Sequence, residues 1–297
     1  MWLAGAVALL LFAWPSEAHA WGPVTHLVHG SEILASLSTL APALQEILRA
    51  HRLPYLYGCI AADIVQAKKY TRSLYTHCHC WPVGWQLVES ARGEREQAFA
   101  YGYLSHLAGD VYSHNEYVPV QLIVSYRART LKHIYWEARF DAAQQRDRCR
   151  LIRTVLEQRY PDCDRLVERV VERTLFSFRT NKRIFNSVMS LQQLEQWQGM
   201  VRRLSSRSRY VLPPSEIERF NTLCLGAIRD LLAHGEQSAC QHADPTGREA
   251  LARAEALRRK LRALKRRGQM TEAITAELRA LAPRTKLTRR RPSLAAS

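Results

Sequence analysis

Residues 101–119 read YGYLSHLAGDVYSHNEYVP, and the fold turns on this stretch. His106, Asp110 and His114 stand four apart in it. Each four-residue step on an α-helix rotates a side chain by only about 40°, so the spacing predicts three polar groups on nearly one helical face. A second pair with the same step, His133 and Glu137, follows in HIYWEARFD. Imidazole and carboxylate at this interval form the donor set that a helix offers a zinc ion. A single such pair reads as solvated decoration; two pairs plus a third histidine within about thirty residues point to a metal centre.

Outward from that stretch the pattern stays helical. One long helix is expected from Glu94 to Val111, with Gly102, Ala108 and Gly109 small enough for close packing, and another from Thr130 to Gln145. Toward the amino end, Pro23 suits the first turn of a helix through HLVHGSEILASL. APALQEILRAH makes the next, stopping near Leu53–Pro54, and YLYGCIAADIV leads to Asp63, a carboxylate ringed by apolar residues that needs a partner, a metal or a proton. KKYTRSLYTHCHCW reads as a loop and PVGWQLVESARG as a helix. The second half carries further helical periodicity, with Ser215 and Glu218 as a capping box and Gly235 as a stop. No alternating run is long enough to insist on a strand, so the expected class is all-α.

Composition adds partners and compartment. The chain of 297 residues carries 43 Lys and Arg against 27 Asp and Glu, a formal charge of +16. Fifteen basic residues face four acidic ones after Gly247, so the excess concentrates in a basic helix with Leu257, Leu261 and Leu264 on one side. The turn-rich SACQHADPTG (238–247) marks a boundary before it. Residues 2–13 form an apolar run too short to span a bilayer, and Ala18-His19-Ala20 offers a signal-peptidase site, so export with cleavage after Ala20 is expected. The expected organisation is a signal peptide over 1–20, a helical domain over 21–245, and a basic amphipathic helix with a disordered tail over 246–297. Seven cysteines in an exported chain permit disulfides but leave one over.

With these residues in place, the chain resembles the bacterial zinc-dependent phospholipase C family and, more distantly, the zinc-dependent single-strand-specific nucleases of the same all-helical architecture. The likeness rests on Trp21 behind the cleavage site, His26 in WGPVTH, Asp63, His79 or His77 in the loop, His106-x-x-x-Asp110, and His133-x-x-x-Glu137, and covers residues 21 to 141. One departure is visible: the better-known members place the histidine after the central aspartate six positions on, whereas His114 comes four on. The resemblance implies three zinc ions. Asp110 bridges two, His79 and His106 complete one site, and Trp21 with His26 another. His114, His133 and Glu137 hold the third, and Asp63 orients or deprotonates the attacking water. It also implies a phospholipid substrate, with a nuclease, or a non-catalytic lipid-binding protein that keeps zinc for structure, as the rivals. Such chemistry needs no protein nucleophile, which fits the lack of a Ser/His/Asp elbow or a phosphate-cradling glycine loop.

Other residues take plainer readings. His29, His51, His234 and His242 are expected at the surface or as satisfied core histidines. Trp81, Trp85, Tyr112 and Trp136 are core aromatics by default, and Asn115 and Glu116 fit either the cleft or a helix end. The basic tail reads as a solvated extension, with attraction to an anionic membrane as its functional alternative and nucleic acid disfavoured for want of interleaved aromatics.

Overall fold

A computed structural model describes residues 22–65, 77–128, 133–144, 148–171, 177–192, 208 and 210–281. Every regular element among them is helical. In chain order these are α1 (Pro23–Ala35), α2 (Pro42–Ala50), α3 (Arg52–Ile64), α4 (Trp81–Glu89), α5 (Glu94–Tyr112), a π-helical turn (Ser113–Tyr117), α6 (Val118–Val124) and α7 (His133–Asp141). Then come α8 (Arg148–Glu157), α9 (Pro161–Val170), α10 (Phe178–Gln192), α11 (Pro214–His234), α12 (Arg248–Arg266) and α13 (Glu272–Leu281). Among the described residues no helix is long and apolar enough to cross a membrane.

The central contact is α3 against α5. A Cβ added at Gly58 would stand 2.0 Å from the Phe99 carbonyl oxygen, and one at Gly102 2.0 Å from that of Tyr55. Only hydrogen fits at either place, so the two backbones touch, and the approach expected of Gly102 is realised. Around this crossing Leu27, Ile60, Phe99, Tyr103, Leu104 and Leu107 form a dry core. A second, smaller core holds Tyr117, Leu122, Trp136, Phe140, Phe220 and Ala254, joining α6, α7, α11 and α12.

Three local expectations are corrected. Pro54 does not end a helix: it lies in the first turn of α3, where its missing N–H breaks no bond. Ser215 and Glu218 form no capping box, because α11 starts at Pro214 behind Pro213, with no side-chain cap. The leucine side of α12 is turned inward: Leu261 is buried and Leu257 and Leu264 are half-buried. Arg258, also buried, donates to the Ala128 carbonyl at 2.6 Å, and Arg262 to those of Tyr126 and Ala128 at 2.7 and 2.9 Å. These guanidinium groups satisfy carbonyls just past the end of α6, where the helix dipole favours cations.

Candidate metal centre

Five side chains from four places in the chain converge over the α3–α5 crossing: His26 from α1, Asp63 from α3, His79 from the turn before α4, and His106 and Asp110 from α5. All are buried. Asp110 is the hub. Its Oδ1 lies 3.2 Å from His26 Nε2, and its Oδ2 lies 3.1 Å from His106 Nε2 and 3.4 Å from His79 Nε2. Asp63 Oδ1 stands 3.3 Å from His79 Nε2, and the His79 and His106 Nε2 atoms are 3.1 Å apart. The His26 and His106 rings stack at 3.8 Å.

The tautomers follow from the outer partners. His106 Nδ1 lies 2.9 Å from the Cys59 carbonyl, which can only accept, so Nδ1 carries the hydrogen and the neutral ring presents a lone pair at Nε2. That lone pair faces the oxygen lone pairs of Asp110, neither of whose carboxylate oxygens has a hydrogen-bond donor among the described residues. Such an arrangement calls for a cation between the groups, proton or metal. Donors about 2 Å from a tetrahedral zinc stand roughly 3.3 Å apart, which matches the 3.1–3.4 Å separations here. The electrostatics agree. Burial works against a charged His106, but the fields of Asp110 and Asp63 outweigh it and its pKa rises. Burial also works against an ionised Asp110, and His106 and His26 overcome it, holding the carboxyl well below the usual range. For His26 burial wins and the pKa falls.

A second group, His114, His133 and Glu137, gathers beside the smaller core. Glu137 Oε1 lies 2.5 Å from His133 Nε2 and 3.7 Å from His114 Nε2, and burial pushes its pKa well up. Asp63 and Asp110 raise it further, so the two groups share one electrostatic field. The single-face expectation for His106, Asp110 and His114 is corrected here. His106 and Asp110 stay together, whereas the π turn opening at Ser113 widens the coil and directs His114 to Glu137 and His133 instead.

Between the two loop histidines, His79 points into the first group, while His77 Nδ1 accepts the His79 backbone N–H at 3.1 Å. Trp21 lies outside the described residues, as do the apolar leader and the last sixteen positions. His29 is a buried core histidine bonded to Asn221 at 2.9 Å, its pKa lowered to about 4 by burial. His234 is exposed and paired with Asp230, His51 is half-buried near Glu94, and His242 is exposed. Glu116 pairs with Arg219 at 3.7 Å.

Sequence reasoning missed two contributors, Asp141 and Pro245, and read Cys78, beside His79, as a buried thiol or disulfide with zinc ligation as the alternative. Asp141 accepts the Val24 and Thr25 N–H groups at 3.3 and 2.7 Å and the Thr25 hydroxyl at 2.8 Å, pinning the start of α1. Its one sequence signal is the four-residue step from Glu137. Cys78 Sγ lies 3.3 Å from His79 Nδ1, and the Tyr103 hydroxyl donates to the Cys78 carbonyl. Pro245 accepts from His114 Nδ1 at 2.6 Å, a backbone contact with no sequence signature.

The family model described as zinc dependent phospholipase C matches residues 25–190, more than half of the chain. The chain belongs to that family. Its zinc dependence follows from this membership, and the buried nitrogen and oxygen donors suit such an ion. No curated protein and no solved structure matches the chain. Membership of this family supports a zinc-dependent hydrolase.

Proposed function

We propose that this chain is an exported phosphodiesterase of the phospholipase C type. It cleaves the glycerol-side phosphodiester of a phospholipid, releasing diacylglycerol and a phosphorylated head group. The observation that carries the reading is the convergence of His26, Asp63, His79, His106 and Asp110 in one buried cluster, with His114, His133 and Glu137 beside it, in a chain of this family.

In this reading His79, His106 and Asp110 would hold one zinc, His26 and Asp110 a second together with the Trp21 amino terminus exposed by cleavage, and His114, His133 and Glu137 a third. When bound, zinc supplies Lewis acidity toward a water and toward the phosphodiester oxygens. Asp63, placed against His79, would take a proton from the water as its oxygen bonds to phosphorus and return it to the diacylglycerol oxygen as that P–O bond breaks. Burial of Asp110 keeps bulk water from competing for its oxygens. The exposed face of α12, with Arg253, Arg259, Lys260 and Lys265, offers charge to an anionic lipid surface, and it does so without the leucines, which face inward.

The five-residue step from Trp21 to His26 resembles the nucleases and keeps that reading as the runner-up; Glu137, where nucleases carry Asp, favours the lipase. Zinc-loaded mature protein incubated with phosphatidylcholine and with single-stranded DNA decides between them: hydrolysis of the lipid is expected, and cleavage of DNA alone overturns the proposal. Asp63→Asn is expected to lower turnover by about 10²–10⁴-fold with zinc content retained. Unchanged turnover with intact zinc removes Asp63 from catalysis.

A further inference from the structure

The match to the family ends at residue 190, yet the second metal-capable group reaches past it. The imidazole of His114 donates from Nδ1 to the Pro245 carbonyl, 131 positions later, at 2.6 Å. Gly247 sits directly against the π turn: a Cβ there would stand 2.4 Å from His114 Cβ and 2.5 Å from its carbonyl oxygen. Gly247 also has φ +54°, a conformation that side-chain-bearing residues rarely adopt. Pro245 and Gly247 are both buried.

The segment is fastened on either side of this contact. Trp81 Nε1 on α4 donates to the Ala243 carbonyl at 2.8 Å, and Asn115 in the π turn donates to the Asp244 carbonyl at 2.8 Å. The Asp244 carboxylate closes the turn on the Thr246 N–H at 2.9 Å and its hydroxyl at 2.5 Å. Beyond it α12 is held by Arg258 and Arg262 on the carbonyls after α6.

We propose that Ala243–Gly247 is a positioning clamp for His114. A carbonyl that only accepts leaves His114 one neutral tautomer, hydrogen on Nδ1 and lone pair on Nε2, the atom that faces Glu137. Gly247 sets how closely the clamp approaches, and Trp81 and Asn115 hold it in register. The His114–His133–Glu137 zinc therefore depends on chain beyond residue 190, whereas the zinc sites built on Asp110 take no ligand from there. This rests on the proposed ligand assignment.

Stepwise chelator titration of the zinc-loaded mature chain, residues 21–297, with zinc counted by elemental analysis, tests it. Gly247→Ala is expected to weaken one zinc per chain by about 10–100-fold, the range typical of outer-shell partners, and to leave the others unmoved. Should Gly247→Ala misfold by circular dichroism, Trp81→Phe combined with Asn115→Ala loosens the clamp without adding an atom and is expected to weaken the same single zinc. A wild-type chain that binds zinc, with folded variants releasing every ion as it does, overturns the clamp alone. Uniform weakening of all ions also overturns it, since that marks a merely structural part. A wild-type chain that takes up no zinc overturns the ligand assignment and the clamp together.

Discussion

The two metal-capable groups use the same helical spacing and are built in different ways. The first stands on the α3–α5 crossing, where Gly58 and Gly102 bring two backbones into contact, and each of its side chains is at most 2 % exposed. Its outer support is local, the Cys59 carbonyl on the same α3 that carries Asp63. The second is assembled from a π turn, a short helix and the carbonyl of a distant turn, with the His133 side chain 20 % exposed. A site seated on a packed crossing inherits its rigidity from the core. A site hung between segments must be positioned by specific hydrogen bonds, so its failure modes are separate from those of the fold.

Removing a hub from each group gives the widest separation. Asp110→Asn takes a charged oxygen from a carboxylate that three imidazoles face, and it is expected to cost more than one zinc per chain. The affinity loss should exceed the roughly 100-fold ceiling of outer-shell changes, with activity falling to background. Glu137→Gln is expected to cost one zinc only. Elemental analysis of the purified variants checks both, and equal losses from the two would mean that the groups form one indivisible cluster.

The same contrast explains what could be read in advance. His106-x-x-x-Asp110 and His133-x-x-x-Glu137 lie wholly within helices, where spacing dictates which side chains meet, and both pairs do meet. The all-α class was legible for the same reason, since helical periodicity is a local signal. The resemblance groups His114 with His133 and Glu137, as found, whereas helical spacing alone puts it on one face with Asp110; the step between them crosses into a π turn, and a single widened turn leaves no mark on hydrophobic spacing. Pro245 was invisible because its contribution is a carbonyl, identical in every residue. The basic tail reads from sequence as a solvated extension, with an anionic membrane as the alternative, because sequence shows an apolar face on α12 but not what covers it; here α6 and the segment after it do.

A smaller effect sharpens the picture of the first group. With zinc on His79 Nε2, the atom that faces Asp63 and Asp110, its Nδ1 would carry the hydrogen, and Cys78 sulfur, 3.3 Å away, would accept it. Cys78→Val removes that acceptor and is expected to weaken zinc by about tenfold, while Cys78→Ser, which keeps an acceptor, stays near wild type. Competition with a chelator of known affinity measures the difference. If valine and serine behave alike, the first group needs no side-chain partner at His79, and the contrast between its backbone-built support and the clamp on His114 becomes sharper.

The smallest expected effect concerns Asp141, which ties α1 to the end of α7 and so links the two groups through the fold. Burial raises its pKa from 3.8 to about 6, even though Thr25 and Val24 donate to the carboxylate. A carboxyl whose folded pKa lies above its unfolded value binds protons more tightly when folded. Its ionisation therefore opposes folding: this contribution is most favourable below about 4 and is lost as pH rises through 6. Asp141→Asn abolishes that titration while leaving an acceptor for the Thr25 N–H. In the metal-free protein, the stability of wild type relative to Asp141→Asn is expected to fall between pH 4 and pH 6.5 and to level off above it. Urea unfolding at several pH values measures this difference. A flat difference would mean that the hydrogen bonds from α1 balance the burial of the charge, making the link between the two groups tighter than the separation of their cores suggests.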